Sequence, residues 1–286
     1  MSETPTPSEI IALQLKANTI RQLVIEALLA AGSGHTAGSL GMADILAALY
    51  FHVLRHDPHH PYWEDRDRLV LSNGHICPAL YAAMALAGYF PLEELKTLRR
   101  INSRLQGHPY RPVLPGLETT SGSLGEGLGQ AVGIALGGRL SRQDFTVYCL
   151  TSDAEHQEGG TWEAVMTAAK YKLEHLVCFV DRNFIQCDGG TEEIMPLESL
   201  AKKYAAFNWF VQKIDGNDIQ AFLAAVDAAQ AAPAPAVILA YTVPGKGVSF
   251  MENDYRWHGK SPDAAEAARA LEELRAARGP SSPHDF

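Results

Sequence analysis

The 286-residue sequence lacks the features of secreted, membrane-bound or nucleic-acid-binding proteins. It has four cysteines and no CxxC pair, so neither a disulfide framework nor a structural zinc site is indicated. The longest apolar run, Pro78–Ala87, is too short to cross a bilayer. Acidic residues outnumber basic ones by 33 to 24, which argues against a protein that neutralises nucleic-acid backbones. The first residues lack the basic and apolar regions of a signal peptide, so we expect a cytoplasmic protein.

Short apolar runs alternate with helical patterns, and this alternation predicts the fold. A short strand is predicted at 68–72. Compact runs bounded by turn residues, at 145–150, 176–180, 211–214 and 237–241, are interpreted as strands buried on both faces. Helical patterns occur at 8–31, 42–54, 125–140, 160–173, 196–206, 218–231 and 262–278. Such alternation predicts an α/β fold, a doubly wound and mostly parallel sheet flanked by helices. We expect one domain over residues 8–278, between flexible tails at 1–7 and 279–286.

Asp153 and Asn183 are candidate ligands because each comes just beyond a predicted strand. In open α/β sheets, ligands bind outside the carboxyl ends of the strands. One carboxylate and one amide oxygen are too few for a bare cation, but they suit Mg²⁺ when diphosphate and water complete the octahedron. A helix cap at Asp153 and a turn residue at Asn183 are the purely structural alternative.

Several of the eleven histidines lie in glycine-containing turns. These are His35, His75, His108 and His258. Imidazole titrates near neutral pH, so such residues can move protons or bind substrate hydroxyls. The alternative is a loop histidine that only contacts solvent or a neighbour. The residues expected to be surface histidines of that kind are His52, His56, His59 and His60.

The glycine-rich segment Gly122–Gly129 opens an apolar helix, but no clear strand precedes it. It is also one residue away from the spacing of the dinucleotide fingerprint, which argues against a Rossmann dehydrogenase. The sequence contains neither a Walker motif nor the GxSxG elbow of hydrolases. No HxH or HExxH spacing indicates zinc. These standard enzyme classes are therefore disfavoured.

Seven segments, taken in order, resemble the thiamine-diphosphate-dependent transketolases, specifically their diphosphate-binding amino-terminal half. They extend from about residue 10 to residue 260 and include Gly32–His35, Asp67–His75, Gly107–Pro109, Thr119–Gly127, Ser152–Glu158, Asp181–Gly189 and Gly245–Gly259. Each segment alone is a weak signal. Seven segments in the family's order form a specific one.

The resemblance implies a set of cofactor-binding residues. Asp153, Asn183 and the Ile185 carbonyl would bind a divalent ion, Mg²⁺ or else Ca²⁺ or Mn²⁺, that holds thiamine diphosphate. Gly122, Ser123 and Leu124 would form the loop beside the cofactor rings. The further cofactor contacts that the resemblance implies are Ala154, Glu158, His75 and His258.

The resemblance also implies catalytic and interface residues. The four turn histidines, His35, His75, His108 and His258, would line the substrate channel or approach the diphosphate. Glu158 and Glu163 correspond to acids at the subunit interface, where they would link paired active sites.

The implied activity is transfer of a two-carbon ketol unit from a ketose phosphate to an aldose phosphate. Transketolases continue into a pyrimidine-binding half and a carboxy-terminal domain, whereas this sequence ends soon after His258. The resemblance therefore implies a split enzyme, completed by a separate C-terminal transketolase subunit in a two-plus-two heterotetramer. The isolated chain should show little turnover.

The sequence departs from the family pattern at several positions and leaves alternatives open. Ser152 and Ala154 flank Asp153 where the family has glycines, and Cys187 replaces an aliphatic residue. Thr36-Ala37 replace Pro-Gly, and Glu126 stands where glutamine is common. One alternative is the same chemistry on a branched-chain sugar phosphate or a sulfosugar. Another is a non-catalytic binding protein that retains the fold. Deoxyxylulose-phosphate synthase fits less well, because it is normally one long chain.

Overall fold

Within residues 5–277, which the computed structural model describes, five parallel strands form the central sheet. They are β1 (Arg68–Leu71), β2 (Val147–Ser152), β3 (Leu176–Arg182), β6 (Phe210–Asp215) and β7 (Ala236–Tyr241), and their order across the sheet is β1-β2-β3-β7-β6. A small antiparallel hairpin of β4 (Ile185–Gln186) and β5 (Gly189–Gly190) follows β3. Every residue of β2 and β3 is buried, as their continuous apolar runs predict.

Helices cover both faces of this sheet, so the predicted doubly wound α/β class is confirmed. The helices are α1 (Pro7–Ala31), α2 (Ala37–Gly41), α3 (Ala43–Ala48), α4 (Cys77–Leu86), α5 (Gly127–Ser141), α6 (Gly159–Tyr171), α7 (Thr191–Ile194), α8 (Leu200–Ala206), α9 (Ile219–Gln230) and α10 (Ala264–Ala277). Alternate strand residues enter different cores: Tyr148 and Leu150 pack with α1, α3, α4 and α9. Val147 and Cys149 pack with α5, α6 and α8. No helix in the described range is long and apolar enough to span a bilayer.

Helix α1 begins earlier than the sequence pattern predicts. Thr6, not Ser8, is the N-cap, and Thr6 and Glu9 form a reciprocal capping box. Pro7 occupies the first helical position, where its missing N–H leaves no hydrogen bond unmade. The predicted tail at 1–7 is therefore wrong for Pro7. Residues 1–4 and 279–286 of the predicted tails lie outside the described residues, as does residue 278 of the predicted domain.

Two other predicted helices are shorter than their sequence patterns indicate. The pattern at 42–54 forms α3 and then a π-helical turn at Leu49–Val53, in which the Leu54 N–H bonds to the Leu49 carbonyl. The pattern at 196–206 is helical only from Leu200, because Ser199 is the N-cap of α8 and its hydroxyl accepts the Lys202 N–H.

Strand β2 runs two residues further than the apolar run 145–150 predicts, so that it ends at Ser152. In-register pairing with β1 and β3 sets this range, since Arg68 is opposite Val147 and Ser152 is opposite Asp181. Asp153 therefore follows the strand end directly.

Candidate active site

The carboxyl ends of β2 and β3 bring Asp153 and Asn183 together at one edge of the sheet. The two strands are hydrogen-bonded neighbours, as the sequence predicts. The Phe184 N–H donates to Asp153 Oδ2 at 2.9 Å, which joins the segment after β3 to the segment after β2. The two candidate ligands thus belong to one site.

Asp153 is fully buried, and its two carboxylate oxygens have different surroundings. Oδ2 accepts from Arg182 Nη1 at 2.7 Å, the Phe184 N–H at 2.9 Å and Thr191 Oγ1 at 3.3 Å. Among the described residues, Oδ1 accepts only the adjacent Ala154 N–H, at 2.7 Å. Burial raises the pKa of Asp153, and the hydrogen bond and charge of Arg182 oppose that rise.

Asn183 is oriented by a second buried acid. Its Nδ2 donates to Asp181 Oδ2 at 2.8 Å, while its Oδ1 accepts the Ile185 N–H at 3.0 Å. The Thr242 hydroxyl, just beyond β7, donates to the other Asp181 oxygen. Burial raises the pKa of Asp181 to about 7, and the neighbouring Asp153 contributes to that rise. These bonds determine which way the Asn183 amide points.

The donor set fits a divalent ion that is shared with a diphosphate. Asp153, Asn183 and the Ile185 carbonyl offer hard oxygen atoms, which Mg²⁺ prefers. Among residues 5–277, no group of three or more His, Cys, Asp or Glu residues is arranged to hold a metal. Such a set leaves most of an octahedron for phosphate oxygens and water, which is how Mg²⁺ binds in phosphate-dependent sites.

The side chains that replace glycine around Asp153 do not break this turn. Ser152 keeps its in-register pairing with Asp181, and its buried hydroxyl has no hydrogen-bond partner among the described residues. Ala154 opens a 3₁₀ turn and donates its N–H to Asp153. Helix α6 then begins at Gly159, one residue before the predicted pattern at 160–173, and its N-cap residue Glu158 forms no side-chain capping bond.

Three of the predicted histidines form a cluster. The ring centroids of His35 and His75 are 5.0 Å apart, and that of His258 lies 5.5 Å and 5.2 Å from them. The rings come from the turn after α1, the turn after β1 and the segment after β7. Burial lowers the pKa of all three, and to about 4 for His35, where the positive charge on neighbouring imidazoles adds to the effect. The cluster is therefore neutral at neutral pH.

His108 and the Gly122 loop lie beside this cluster. His108 is exposed, and its ring lies 3.6 Å from where a Cβ on Gly122 would be. A Cβ on Gly74 would lie 2.8 Å from Ser121 Oγ, so glycine at 74 permits this close approach. A cavity of about 560 Å³ opens here. Its lining includes His108, Gly122, Ser123 and Gln130.

The remaining predicted positions lie at the surface. Leu124 is 37% exposed at the end of the loop. Glu158, the N-cap of α6, and Glu163, just past its first turn, are exposed, so a second chain can reach them. The prediction that His56 is a surface histidine is wrong, because His56 is half-buried and forms hydrogen bonds with Tyr89 Oη and the Tyr50 carbonyl.

Sequence reasoning missed Glu155, which joins three segments of the site. This buried carboxylate accepts the Gly125 N–H and the Ser152 N–H, each at 2.9 Å, and the Ser72 hydroxyl. Burial raises its pKa, and these hydrogen bonds oppose the rise. The available signal was an acid two residues after Asp153, within a motif that already contained Glu158.

Sequence reasoning also missed Arg182, the last residue of β3. Its guanidinium is fully buried and forms ion pairs with Asp153, Glu192 and Glu198. The signal was a basic residue at the end of a continuous apolar strand, followed within 16 residues by two glutamates.

Oxygen donors at the carboxyl edge of a parallel sheet, together with the cluster of neutral histidines, define an α/β protein with a ligand site at that edge. Comparison with known proteins identifies the family. The sequence matches the family described as transketolase, thiamine diphosphate binding domain, over residues 13–280. The chain belongs to the transketolase family.

Relatives of similar length support the same assignment. The chain is 47% identical over 249 residues to the 6-deoxy-6-sulfo-D-fructose transketolase subunit SqwG of Clostridium sp. (strain MSTE9), covering 87% of this chain and 90% of that one. It is 40% identical over 265 residues to an apulose-4-phosphate transketolase subunit from Actinobacillus succinogenes, covering 92% and 96%. These matches confirm the predicted family and enzyme class, that of a transketolase subunit.

A solved structure shows the relation to longer transketolases. The crystal structure of transketolase from Campylobacter jejuni superimposes with a TM-score of 0.88 at 33% sequence identity. The match covers 94% of this chain but only 43% of that chain. The fold of this chain is therefore that of one part of the longer enzyme.

Proposed function

We propose that the chain is the diphosphate-binding subunit of a two-chain transketolase, which moves a two-carbon ketol unit from a ketose to an aldose. The observation that carries this proposal is the placement of oxygen donors and three neutral histidines at one edge of the sheet. The match over residues 13–280 to the thiamine diphosphate binding domain supports the cofactor.

Asp153, Asn183 and the Ile185 carbonyl would hold a divalent ion, with Mg²⁺ the first choice and Ca²⁺ or Mn²⁺ as alternatives. Ala154, Glu158 and the loop Gly122–Leu124 would contact thiamine diphosphate. When bound, this cofactor supplies the carbon nucleophile that carries the two-carbon unit. The all-oxygen donor set of the carboxyl edge supports the preference for Mg²⁺.

The histidines would bind sugar hydroxyls and move protons, with His75 and His258 also near the diphosphate. Their lowered pKa values support this role, because a neutral imidazole can both donate and accept a hydrogen bond. The unpaired Nδ1 of His35 and the exposed ring of His108 leave polar atoms free for a substrate.

The chain would work with a C-terminal transketolase subunit that supplies the pyrimidine-binding half, in a two-plus-two heterotetramer. Two observations support a partner. The longer transketolase extends well beyond the match, and the relatives of this chain's length are named as subunits. Exposed Glu158 and Glu163 would lie at a subunit interface. The cytoplasm remains the predicted compartment.

The substrates would be sugars with an anionic group, either phosphorylated or sulfonated. A specialised sugar is the second candidate, beside the common ketose and aldose phosphates. The 47% identity to a 6-deoxy-6-sulfo-D-fructose transketolase subunit supports a sulfonated sugar as that candidate. A branched-chain sugar phosphate is the further alternative, which the 40% identity to the apulose-4-phosphate transketolase relative supports.

Native capture of the tagged chain from its own cells, followed by intact-complex mass measurement, tests the proposal. We expect a second chain in equal number, retained thiamine diphosphate and ketol-transfer activity. A homo-oligomer of this chain without cofactor would contradict the two-chain enzyme and would favour a binding protein that retains the fold.

A further inference from the structure

Arg182 is a buried cation in an unusual position. It ends β3 between Asp181 and Asn183, and its side chain is 0% exposed. An arginine at such a depth is strongly unfavourable unless carboxylates surround it in good geometry. The surrounding carboxylates therefore show what holds the guanidinium there.

The guanidinium contacts four side chains. Its Nη1 donates to Asp153 Oδ2 at 2.7 Å. Its Nη2 donates to Glu198 Oε1 at 3.0 Å and to Glu192 Oε1, and its Nε lies 3.3 Å from Glu198 Oε1. The guanidinium carbon Cζ lies 3.9 Å from the Phe184 ring centroid. Glu192 also accepts the Leu197 and Glu198 N–H groups, so the segment after α7 holds the carboxylates in place.

The contact with Arg182 makes the two oxygens of Asp153 unequal. Oδ2 has three donors, which are Arg182, the Phe184 N–H and the Thr191 hydroxyl. Within residues 5–277, Oδ1 has only the N–H of the next residue as a donor. Rotation of the carboxylate would break three hydrogen bonds at once, so Oδ1 remains the oxygen with free acceptor capacity.

We propose that Arg182 is a positioning residue, which fixes the Asp153 carboxylate so that Oδ1 is available to the divalent ion. Glu192 and Glu198 hold the guanidinium in that position. This inference rests on the proposed function, because it takes Asp153 as a metal ligand. Residues that bond to a metal ligand typically change metal affinity by 10- to 100-fold when they are substituted.

A purely electrostatic role for Arg182 predicts the opposite change in metal affinity. A positive charge beside a cation site repels the cation, so a neutral substitution would then tighten metal binding. If Arg182 positions Asp153, the same substitution weakens binding. The direction of the change therefore separates the two roles, and a merely structural role leaves the affinity of the folded variant unchanged.

The experiment is a titration of the full chain with Mn²⁺ in the presence of thiamine diphosphate, alone and with the captured partner, with free Mn²⁺ read by electron paramagnetic resonance. For Arg182→Met we expect at least about 10-fold weaker Mn²⁺ binding. Arg182→Lys, which keeps the charge and one donor, should recover part of the loss. Arg139→Met removes a surface arginine paired with Glu174 and should leave the affinity unchanged.

Unchanged or tighter Mn²⁺ binding by folded Arg182→Met would overturn the proposal. If that variant does not fold, Glu198→Gln is measured instead, because it removes an ion pair of Arg182 without altering Asp153. We expect weaker Mn²⁺ binding by Glu198→Gln, and wild-type affinity would refute the positioning role of Arg182. Asp153→Ala separates the failure of the proposed metal site from the failure of the Arg182 role. Wild-type Mn²⁺ affinity in Asp153→Ala would refute the metal site itself. A wild-type chain that binds no Mn²⁺ in either form refutes both.

Discussion

The two halves of the site are built differently. On the carboxylate side, which comprises Asp153, Asp181, Arg182 and Asn183, each side chain has at least two hydrogen-bond contacts within the chain. On the histidine side, which comprises His35, His75 and His258, the rings contact one another and His35 Nδ1 has no partner among the described residues. Hydrogen bonds within the chain fix the side chains of the carboxylate side, whereas the histidine side is held mainly by ring contacts.

This difference indicates different functions for the two sides. Fixed charges and oriented oxygens suit the binding of an ion and a diphosphate, because little has to move when they bind. Neutral, weakly bonded imidazoles suit a changing set of sugar hydroxyls and proton transfers. Substitutions on the carboxylate side should therefore affect cofactor binding, and those on the histidine side should affect turnover.

The largest effect is expected for Asp153→Ala, which removes the charged ligand and one partner of Arg182. Metal-dependent thiamine diphosphate affinity should fall by more than about 100-fold, beyond the range for residues that only support a ligand. Calorimetric titration with Mg²⁺ and thiamine diphosphate measures it. Asp65→Ala, at an exposed aspartate, is the control with the same loss of charge. Equal affinity in both variants would exclude the carboxylate side as the metal site.

His75→Ala should reduce the turnover of the complete enzyme by about 100-fold through loss of a proton-transfer group, with little change in the unfolding midpoint. His108→Ala should act in the same direction. Steady-state kinetics and thermal unfolding on the same samples check this. The control is His59→Ala in an exposed loop. A kinetic profile like that of the control would make the histidine side a bystander.

Glu155→Gln tests the connection between the two sides, because Glu155 bonds the end of β1, the end of β2 and the Gly125 loop. An amide NH₂ would face a backbone N–H, which leaves a buried donor unpaired and should lower the free energy of unfolding by about 1–3 kcal/mol. Urea unfolding measures the change. Glu174→Gln, in a half-exposed surface pair, should stay within about 0.5 kcal/mol. Equal stability of the two variants would show that Glu155 does not join these segments.

The smallest effect is the pH dependence of stability that His35 confers. Its folded pKa is about 4, below the ordinary value of 6.5, so the unfolded chain binds more protons between these values. The free energy of unfolding that depends on a neutral His35 ring is fully present above pH 6.5 and is lost as the pH falls toward 4. The unfolding midpoint should therefore fall less in His35→Gln than in the wild type between about pH 7 and pH 5. Parallel pH profiles would contradict a desolvated His35.

Patterns local in sequence predicted much of the fold. Apolar runs placed β2, β3 and β7, since strands buried on both faces must be apolar throughout. The position of β6 was also predicted, but its burial on both faces was not: β6 is an edge strand that carries Gln212 and Lys213, and none of its residues is buried. Helix ends were less predictable. The capping bonds of Thr6 and the π turn at Leu49–Val53 depend on individual hydrogen bonds, which hydrophobic periodicity does not report.

The candidate site divides in the same way. Asp153 and Asn183 were predictable because strand ends meet at one edge of a parallel sheet. The four histidines were predictable as candidates from their glycine turns, and the resemblance supplied their shared location. Arg182 and Glu155 were not, because their decisive partners lie about 30 residues away in sequence and meet only in the folded chain. Buried charge networks of this kind require the tertiary structure.

The most direct test of the two-chain enzyme is a ketol-transfer assay with this chain, the captured partner and their mixture, each with Mg²⁺ and thiamine diphosphate. Phosphorylated and sulfonated ketoses would serve as donors. We predict transfer only in the mixture, and its loss when Asp153→Ala replaces the wild-type chain. Full transfer by this chain alone, or no transfer by the mixture with any of these donors, would contradict the account.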